Sequence, residues 1–290
     1  MKILITGSNG VIGREIASKL KKNKKNKLIL LTNKKKGKNS FFYQDLTKPI
    51  NIKMKPDVVI HCASKHPFSK VEGGMKNLYL TNVKITKNII NYCNKKNVKK
   101  VIFFSAMLAY GLIKTKIVTE NRKPLNPNLY GKSKFFSEKL FFDKRNIFKT
   151  ICLRIPGVFT SDLSKNHPLI INILKKVINN KSIYAYNLND KFNNITDTNE
   201  IVKFINIVLK KRKIKNKVYN FSSSKPMKFI QVINLMKKIL NSKSKIISQK
   251  KKKNSFIISN KRIKKDFNFT SSTTREIITR CCYQTLKQTN

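Results

Sequence analysis

The sequence predicts an α/β protein built on a doubly wound parallel sheet. Short apolar runs alternate with helix-like segments through the first 160 residues of the 290-residue chain. A glycine-rich turn joins the first apolar run to the first amphipathic segment. Strands that alternate with helices pair in parallel through right-handed crossovers, so helices are expected on both faces of the sheet.

The strands are expected in the apolar runs of this region, which cover residues 2–6, 27–32, 41–43, 58–61, 101–105 and 150–154. Helices are expected where apolar residues recur at three- and four-residue spacing. The first follows the glycine turn and carries Ile12, Ile16 and Leu20 on one face, and others are expected at 77–94 and 130–142.

The alternation loosens after residue 160. Helices are expected near 168–179, from 198 and at 228–240, and a strand at 218–221. We therefore expect a Rossmann-type core over residues 1–160 and a smaller C-terminal lobe over 161–290, with strands near 192–197 and 218–222 returning to the core. Because such sheets bind ligands outside the carboxyl ends of their strands, the smaller lobe is expected to bind substrate there.

The net charge of +51 raises the question of a nucleic-acid partner. Only 8 of the 64 basic residues are Arg, and the lysines recur along the whole chain rather than in one stripe. Lys, Asn and Ile are abundant and have A/T-rich codons, so genome composition accounts for the bias. Specific nucleic-acid readers favour Arg and aromatic residues on one face. A solvated lysine surface is therefore favoured over a specific nucleic-acid site, with a general attraction to anionic ligands.

We expect no targeting or membrane segment in this chain. Its first residues run straight into a strand and a glycine turn, which leaves no room for a signal peptide, and no run approaches the roughly 18 apolar residues that span a bilayer. His61, His66 and His167 have no partners at metal spacing and are interpreted as loop or core residues. The cysteines also lack a paired framework or metal-ligand spacing, so a cytoplasmic protein without a metal is expected, and a homodimer is left open. The cysteines are Cys62, Cys93, Cys152, Cys281 and Cys282.

Three glycines spaced three apart follow the first expected strand. Gly7 permits a tight turn, Gly10 a close approach of the backbone to a pyrophosphate, and Gly13 close packing of helix against strand. The N-terminus of the following helix attracts an anion. The turn therefore predicts a site for the phosphates of a dinucleotide, formed by Gly7, Ser8, Asn9, Gly10, Val11, Ile12 and Gly13.

A tyrosine and a lysine lie four residues apart in the helix expected at 130–142. Tyr130 and Lys134 share one face of that helix. A phenol has a pKa near 10, and a nearby ammonium favours the phenolate, so we expect Lys134 to lower the pKa of Tyr130. The pair predicts an enzyme that transfers a proton to and from a hydroxyl or ketone.

These motifs resemble the extended short-chain dehydrogenase/reductase family, in its NAD(P)-dependent epimerase/dehydratase group, which acts largely on nucleotide sugars. The resemblance covers nearly the whole chain and rests on TGSNGVIG at 6–13, YQDL at 43–46, VVIHCAS at 58–64, YGKSK at 130–134, LRIPGV at 153–158 and YNF at 219–221. It implies that Tyr130 is the catalytic acid/base and that Lys134 contacts the nicotinamide ribose. It further implies cofactor contacts at Asp45, Leu46, Cys62, Ala63, Ser64, Asn82 and Pro156.

One position departs from the family pattern. The family's Ser or Thr, which hydrogen-bonds the reacting oxygen, is replaced here by Ala106. Ser105 is the candidate catalytic replacement, on condition that the end of the strand shifts its register, because in a regular strand it faces the other way. Losing one donor slows such chemistry without necessarily abolishing it. The same loss is also expected of a degenerate, non-catalytic relative.

The choice of cofactor is read from the end of the second strand. An acid there would hold the adenosine ribose and select NAD. Instead, Thr32 and Asn33 are followed by Lys34, Lys35 and Lys36, which suit the 2′-phosphate of NADP. Incidental lysines explain this segment nearly as well in so basic a chain. NADP(H) is therefore favoured over NAD(H) only modestly.

Two functional hypotheses follow from the sequence. The first is an NAD(P)-dependent oxidoreductase or epimerase that acts on a nucleotide-linked sugar by hydride transfer. Met107 and Leu108 stand where dehydratases carry an acid pair, so dehydration is the least favoured reaction. The second, motivated by Ala106 and the charge, is a catalytically degenerate dinucleotide-binding adaptor associated with RNA. Arg154, in an expected buried strand, fits either a fixed ion pair or a contact with a substrate phosphate.

Overall fold

The computed structural model describes residues 1–33, 41–67, 73–160, 169–250 and 254–289. Its strands are β1 (Lys2–Thr6), β2 (Lys27–Thr32), β3 (Phe41–Tyr43), β4 (Val58–His61), β5 (Lys100–Ala106), β6 (Ile117–Val118), β7 (Lys149–Ile155), β8 (Gly157–Phe159), β9 (Ile183–Ala185), β10 (Lys191–Phe192), β11 (Ile195–Asp197), β12 (Lys217–Asn220), β13 (Met227–Lys228), β14 (Ile246–Ser248) and β15 (Ile257–Ile258).

The helices are α1 (Val11–Lys21), α2 (Gly74–Lys95), α3 (Leu129–Phe141), α4 (Leu169–Ile178), α5 (Thr198–Lys210), α6 (Phe229–Ile239), α7 (Lys261–Phe267) and α8 (Thr274–Thr289). A short 3₁₀ helix covers Met107–Tyr110, directly after β5. None of the helices within the described ranges is long and apolar enough to cross a membrane.

Seven strands form one sheet in the order β12-β7-β5-β4-β1-β2-β3. β1 pairs in parallel with β2 on one side and with β4 on the other, and β4 pairs in parallel with β5. The chain therefore extends the sheet from β1 in one direction and then, from β4 onward, in the other. This order confirms the predicted doubly wound α/β fold. Its switch point lies between β1 and β4, where such sheets bind ligands beyond the strand carboxyl ends.

The centre of the sheet is buried, which explains why its strands are continuous apolar runs. In β1 every side chain after Lys2 is buried, and all four side chains of β4 are buried. α1 packs against β1 and β2 and buries Ile16 and Leu20. Each such side chain stabilises the fold by about 1.5–3 kcal/mol. The pairing of β1 with β2 on one side and β4 on the other holds the residues that follow β1 and β4 side by side.

The chain divides into two compact units that interleave along the sequence. The first comprises Met1–Leu112, Lys123–Arg154 and Ile201–Tyr219. The second comprises Ile113–Arg122, Ile155–Glu200 and Asn220–Asn290. This division differs from the single boundary expected at residue 160, because α5 after its first turn and most of β12 group with the first unit.

The two segments expected to return to the core behave differently. β12 is an edge strand of the seven-stranded sheet. The strands near 192–197 lie outside that sheet, since β10 pairs with β13 and β11 pairs with β8. Pro156 separates β7 from β8 and has no backbone N–H to donate, so the ladder of the large sheet ends there and a new pairing begins at β8.

Candidate active site

The glycine turn after β1 leads directly into α1. Gly7 has a φ of +65°, and its carbonyl accepts a hydrogen bond from the Gly10 N–H at 2.9 Å. A Cβ added to Gly13 would lie 2.3 Å from the Gly7 oxygen, so only glycine fits there. Gly10 caps α1 without a side-chain hydrogen bond, and the first turn of α1 has no acidic residue. The N-terminus of α1 is therefore suited to an anion.

Two side chains of the turn are directed to the end of β2. Ser8 Oγ donates to the Leu31 carbonyl at 2.8 Å, and Asn9 Nδ2 donates to Thr32 Oγ1 at 2.5 Å. These bonds fix the turn against its neighbouring strand. Asn33, the next residue, is exposed, whereas the predicted cofactor residue Lys34 lies outside the described residues, as do Lys35 and Lys36.

The ends of β1 and β4 are joined by a hydroxyl and an imidazole. Thr6 Oγ1 lies 2.7 Å from His61 Nδ1 and accepts a hydrogen bond from the Ala63 N–H at 3.2 Å. His61 is 2% exposed, and burial, with a smaller contribution from the charge of Lys134, lowers its pKa to about 3. His61 is therefore neutral near pH 7 and acts as part of the core.

Four other residues expected to contact the cofactor differ in their surroundings. Asp45 Oδ1 accepts hydrogen bonds from the Thr47 N–H at 2.9 Å and the Thr47 hydroxyl at 2.8 Å, and these bonds lower the Asp45 pKa. Leu46 is 8% exposed and belongs to the core of the sheet. Burial raises the pKa of Cys62 to about 12, so its thiol is protonated near pH 7. Pro156 belongs to the second unit.

Tyr130 and Lys134 lie in the first two turns of α3, on a buried face. Asn128 caps this helix through a hydrogen bond from the Gly131 N–H at 2.8 Å. Tyr130 is 6% exposed and Lys134 5%. Lys134 Nζ donates to the Phe104 carbonyl at 3.0 Å and lies 5.7 Å from the centroid of the Tyr130 ring. The structure thus brings the two predicted residues together.

The pKa of Tyr130 moves in the direction opposite to the one expected. Burial raises it to about 12, and a hydrogen bond with Ser64 acts in the opposite sense. Burial also lowers the pKa of Lys134 to about 8, and the nearby carboxylate of Glu138 offsets part of this effect. The expected decrease depended on the ammonium alone, whereas the loss of solvent dominates in a buried site. Lys134 Nζ moreover donates a hydrogen bond to the backbone carbonyl of Phe104.

Ser105 does not take the place predicted for it. Its hydroxyl donates to Glu138 Oε1 at 2.5 Å, and Glu138 forms a buried ion pair with Arg154, whose Nη2 lies 2.6 Å from Oε2. Ala106 instead shares a buried cluster with Tyr130. Ala106 has extended dihedral angles, with φ −139° and ψ 152°, so the strand end keeps its alternation. The register shift on which the Ser105 prediction depended is absent. Of the two roles expected for Arg154, an ion pair or a contact with a substrate phosphate, the structure shows the buried ion pair.

The loop after β4 places Lys65 next to Asn82 and His66 next to Tyr130, which was not expected from the sequence. Asn82, buried in α2, accepts a hydrogen bond from the Lys65 N–H at 2.8 Å and donates to the Lys65 carbonyl at 3.1 Å. The rings of His66 and Tyr130 have centroids 5.2 Å apart. The one sequence signal for this arrangement is a polar Asn among the apolar positions of α2. Within the described ranges, no group of three His, Cys, Asp or Glu residues could hold a metal ion.

A profile of a known family matches most of the chain. The NAD dependent epimerase/dehydratase family matches residues 3–222. The UDP-glucose 4-epimerase of Lactobacillus helveticus is 30% identical over 203 residues, which cover 61% of this chain and 60% of that protein. The chain thus spans about three-fifths of the length of that curated relative.

Solved structures share the fold over the whole chain. The UDP-glucose 4-epimerase of Thermotoga maritima, solved with UDP-glucose, has a TM-score of 0.82 at 19% identity and is covered to 99%, against 100% of this chain. RMD from Pseudomonas aeruginosa, complexed with NADPH, has a TM-score of 0.80 at 16% identity, with 100% of this chain and 99% of that chain covered. These likenesses agree with the profile match, and the chain belongs to the NAD dependent epimerase/dehydratase family.

Proposed function

We propose that this protein is an NAD(P)-dependent oxidoreductase or epimerase that acts on a nucleotide-linked sugar. The observation that carries the proposal is the buried pairing of Tyr130 with Lys134, in the same compact unit as the glycine turn. Two kinds of group are brought together in this unit: one suited to the phosphates of a dinucleotide, and one suited to proton transfer. The family match and the curated relative, a UDP-glucose 4-epimerase, support the substrate class.

The residues of the glycine turn fit a dinucleotide. The start of α1 has no side-chain cap and no acid, and Gly10 is exposed, so a pyrophosphate would meet backbone N–H groups rather than side chains. Gly7, Gly10 and Val11 would hold these phosphates. Ala63, which follows β4, lies at the same carboxyl end of the strands. When bound, the nicotinamide supplies the acceptor and donor of hydride.

Tyr130 performs the proton transfer in this proposal. Because burial raises the pKa of Tyr130 to about 12, the phenol is protonated near pH 7 and donates its proton to a ketone oxygen as that ketone is reduced. In the reverse direction the phenolate removes the hydroxyl proton of the sugar. Lys134 stabilises the phenolate through its charge and would contact the ribose of the bound cofactor.

The reaction is a reduction or an epimerisation. Met107 and Leu108 have no ionisable group where a dehydratase would carry its acid pair. An epimerase returns the hydride to the same sugar carbon, whereas a reductase consumes the reduced cofactor. NADP(H) is modestly favoured over NAD(H), since neither Thr32 nor Asn33 at the end of β2 supplies the acid that selects NAD.

A second candidate function is a degenerate dinucleotide binder without turnover. The contact of Ala106 with Tyr130 favours it, because no hydroxyl at this position can bond the reacting oxygen. Such a protein would bind a dinucleotide at the glycine turn but would not catalyse a reaction.

Turnover of UDP- and dTDP-sugars with NAD(H) and NADP(H), measured for the wild type and for Tyr130→Phe, tests the proposal. Tyr130→Phe removes only the transferable proton, so turnover is expected to fall by roughly 10²–10⁴-fold. Cofactor binding, followed by the rise in the thermal midpoint, is expected to persist in both proteins and to be larger for NADP(H). Equal turnover in the two proteins contradicts the mechanism. Cofactor binding without turnover of any sugar nucleotide favours the degenerate binder.

A further inference from the structure

The end of β5 supports the ammonium of Lys134. Lys134 Nζ donates to the Phe104 carbonyl at 3.0 Å. It lies 5.0 Å from the centroid of the Phe103 ring and 5.7 Å from the centroid of the Tyr130 ring. Two of these three contacts come from β5. The position of the ammonium relative to the phenol of Tyr130 therefore depends on where this strand end lies.

Ser105, the next residue of β5, attaches the strand end to α3. Its hydroxyl donates to Glu138 Oε1 at 2.5 Å, and both residues are 2% exposed. Glu138 follows Lys134 by one turn on the same face of α3, because side chains four residues apart share a helix face. The helix that carries Lys134 is thus bonded to the residue beside the carbonyl that holds Lys134.

Glu138 is held in place from β7 as well. Arg154 Nε and Nη2 donate to its carboxylate at 2.9 and 2.6 Å. The same guanidinium lies 4.3 Å from the centroid of the Tyr110 ring, in the 3₁₀ helix that follows β5. Without the Ser105 hydroxyl, Glu138 would keep its bonds to Arg154, whereas the strand end would lose its bond to Glu138. The function of this bond can therefore be tested with the ion pair intact.

We propose that Ser105 is a positioning residue: through Glu138 it holds the end of β5 so that the Phe104 carbonyl fixes Lys134 beside Tyr130. The inference rests on proton transfer by Tyr130 and Lys134, the function proposed above. A charge that is already in place stabilises the developing phenolate without reorganisation during the reaction. Ser105 thus contributes to the rate without contacting the substrate.

The experiment compares Ser105→Ala and Ser105→Thr with the wild type. In Ser105→Ala we expect kcat to fall roughly 10-fold, since a small displacement of a catalytic group is costly. KM for the sugar nucleotide should change little, because Ser105 and Glu138 are both buried away from it. Ser105→Thr keeps the hydroxyl and most of the rate.

Ser137→Ala is the matched control. Ser137 is also a buried serine that attaches α3 to a neighbouring element, but its hydroxyl bonds Thr86 of α2 at 2.8 Å. Both alanine variants lose one buried hydrogen bond, so their thermal midpoints should fall by similar amounts. Turnover is measured well below both midpoints, and only Ser105→Ala is expected to be slow.

A readout without turnover follows Lys134 directly. Its Nζ lies over the rings of Phe103 and Tyr130, so the resonance of its ε-methylene group responds to the ring currents of both. This resonance, assigned by its loss in Lys134→Arg, is expected to shift in Ser105→Ala and to stay unchanged in Ser137→Ala. If no sugar nucleotide is turned over, the proposed function fails, and the resonance still decides whether Ser105 positions Lys134.

Three results would overturn the inference while leaving the proposed function standing. The first is an unchanged Lys134 resonance in Ser105→Ala. The second is a Ser105→Ala variant with the kcat of Ser137→Ala, which would make the role of Ser105 purely structural. The third is a Ser105→Thr variant as slow as Ser105→Ala, because the hydroxyl would then not account for the rate.

Discussion

Burial moves three titratable side chains of the site towards their neutral forms. It lowers the pKa of His61 to about 3 and of Lys134 to about 8, and it raises the pKa of Tyr130 to about 12. The first two lose a positive charge more readily than in water, and the third gains a negative one less readily. Exclusion of solvent therefore affects the protonation states in this site more than the neighbouring charges do.

The pKa of His61 predicts how the free energy of unfolding decreases at acid pH. Its pKa is about 3 in the folded protein and about 6.5 when unfolded, so the unfolded chain binds more protons between these values. The contribution is fully present above pH 6.5 and is lost as the pH falls towards 3. Between pH 7 and pH 5 we expect this residue alone to lower the free energy of unfolding by about 2 kcal/mol. Urea unfolding at the two pH values measures it.

The comparison variant for this measurement is His61→Phe. A phenyl ring keeps the packing against Phe103, whose ring centroid is 5.6 Å away, and does not titrate. The difference in unfolding free energy between pH 7 and pH 5 should therefore be about 2 kcal/mol smaller in the variant. Equal pH dependence in the two proteins would show that His61 titrates normally in the folded state.

The sequence located some site residues and could not place others. Tyr130 and Lys134 were predictable because their spacing puts them on one helix face, whatever the rest of the chain does. The position of Ser105 followed from strand alternation, but its partner Glu138 did not. The contact between the rings of His66 and Tyr130, with centroids 5.2 Å apart, joins a loop to a helix that is distant in the chain, and no local periodicity encodes it.

At the level of elements, α3 is attached to the sheet by a buried ionic network. Glu138, in its last turns, accepts from Ser105 of β5 at 2.5 Å and from Arg154 of β7 at 2.9 and 2.6 Å. Burial lowers the pKa of Arg154, but the hydrogen bonds to Glu138 outweigh this effect and raise the pKa above its usual value. The guanidinium therefore stays charged. One carboxylate thus links α3 to two strands.

Breaking this network from one side should destabilise the protein strongly. In Glu138→Gln the Arg154 charge stays buried without its partner, and the free energy of unfolding is expected to fall by about 3–5 kcal/mol. In Glu138→Leu/Arg154→Met both charges are removed, and the loss should be smaller than in Glu138→Gln. Denaturant unfolding measures both.

An exposed ion pair just beyond α3 provides the control. Arg145 and Asp143 form a bridge of 2.7 Å, with the arginine side chain 89% exposed. Asp143→Asn is expected to leave the unfolding midpoint almost unchanged. A double variant that loses more stability than Glu138→Gln would indicate that the ion pair stabilises the fold beyond its own desolvation.

Element boundaries were predictable where the core alone determines them. β1, β2 and β4 have the bounds expected from their apolar runs, because central strands of a parallel sheet are buried on both faces. The two-stranded sheets of the second unit were not predictable. Their pairings, such as β8 with β11, depend on which segments meet after Pro156 rather than on a pattern within either strand.

At the level of the whole molecule, the lysine-rich segments lie on the surface. The segment 21–25 and the residues 210–213 are exposed throughout, whereas Lys134 is 5% exposed and belongs to the site. A chain of net charge +51 attracts polyanions without needing a shaped site.

Nucleic-acid binding is therefore expected to be weak, independent of sequence and strongly dependent on salt. For unrelated single-stranded RNAs and duplex DNA we expect dissociation constants of roughly 10⁻⁶–10⁻⁴ M at physiological salt, with log affinity falling linearly with log salt. Fluorescence anisotropy across a salt series measures this. Tight binding to one RNA among scrambled controls of equal length would contradict it and would support the adaptor hypothesis.

The interleaving of the two units has a consequence for biosynthesis. Five residues of β7 are buried, and its outer neighbour in the sheet is β12, which begins only at Lys217. While the ribosome translates the stretch between Ile155 and Lys217, β7 remains an open edge able to pair with other chains. We therefore expect the rate of elongation, more than the stability of the finished sheet, to determine how much of the newly made chain escapes aggregation.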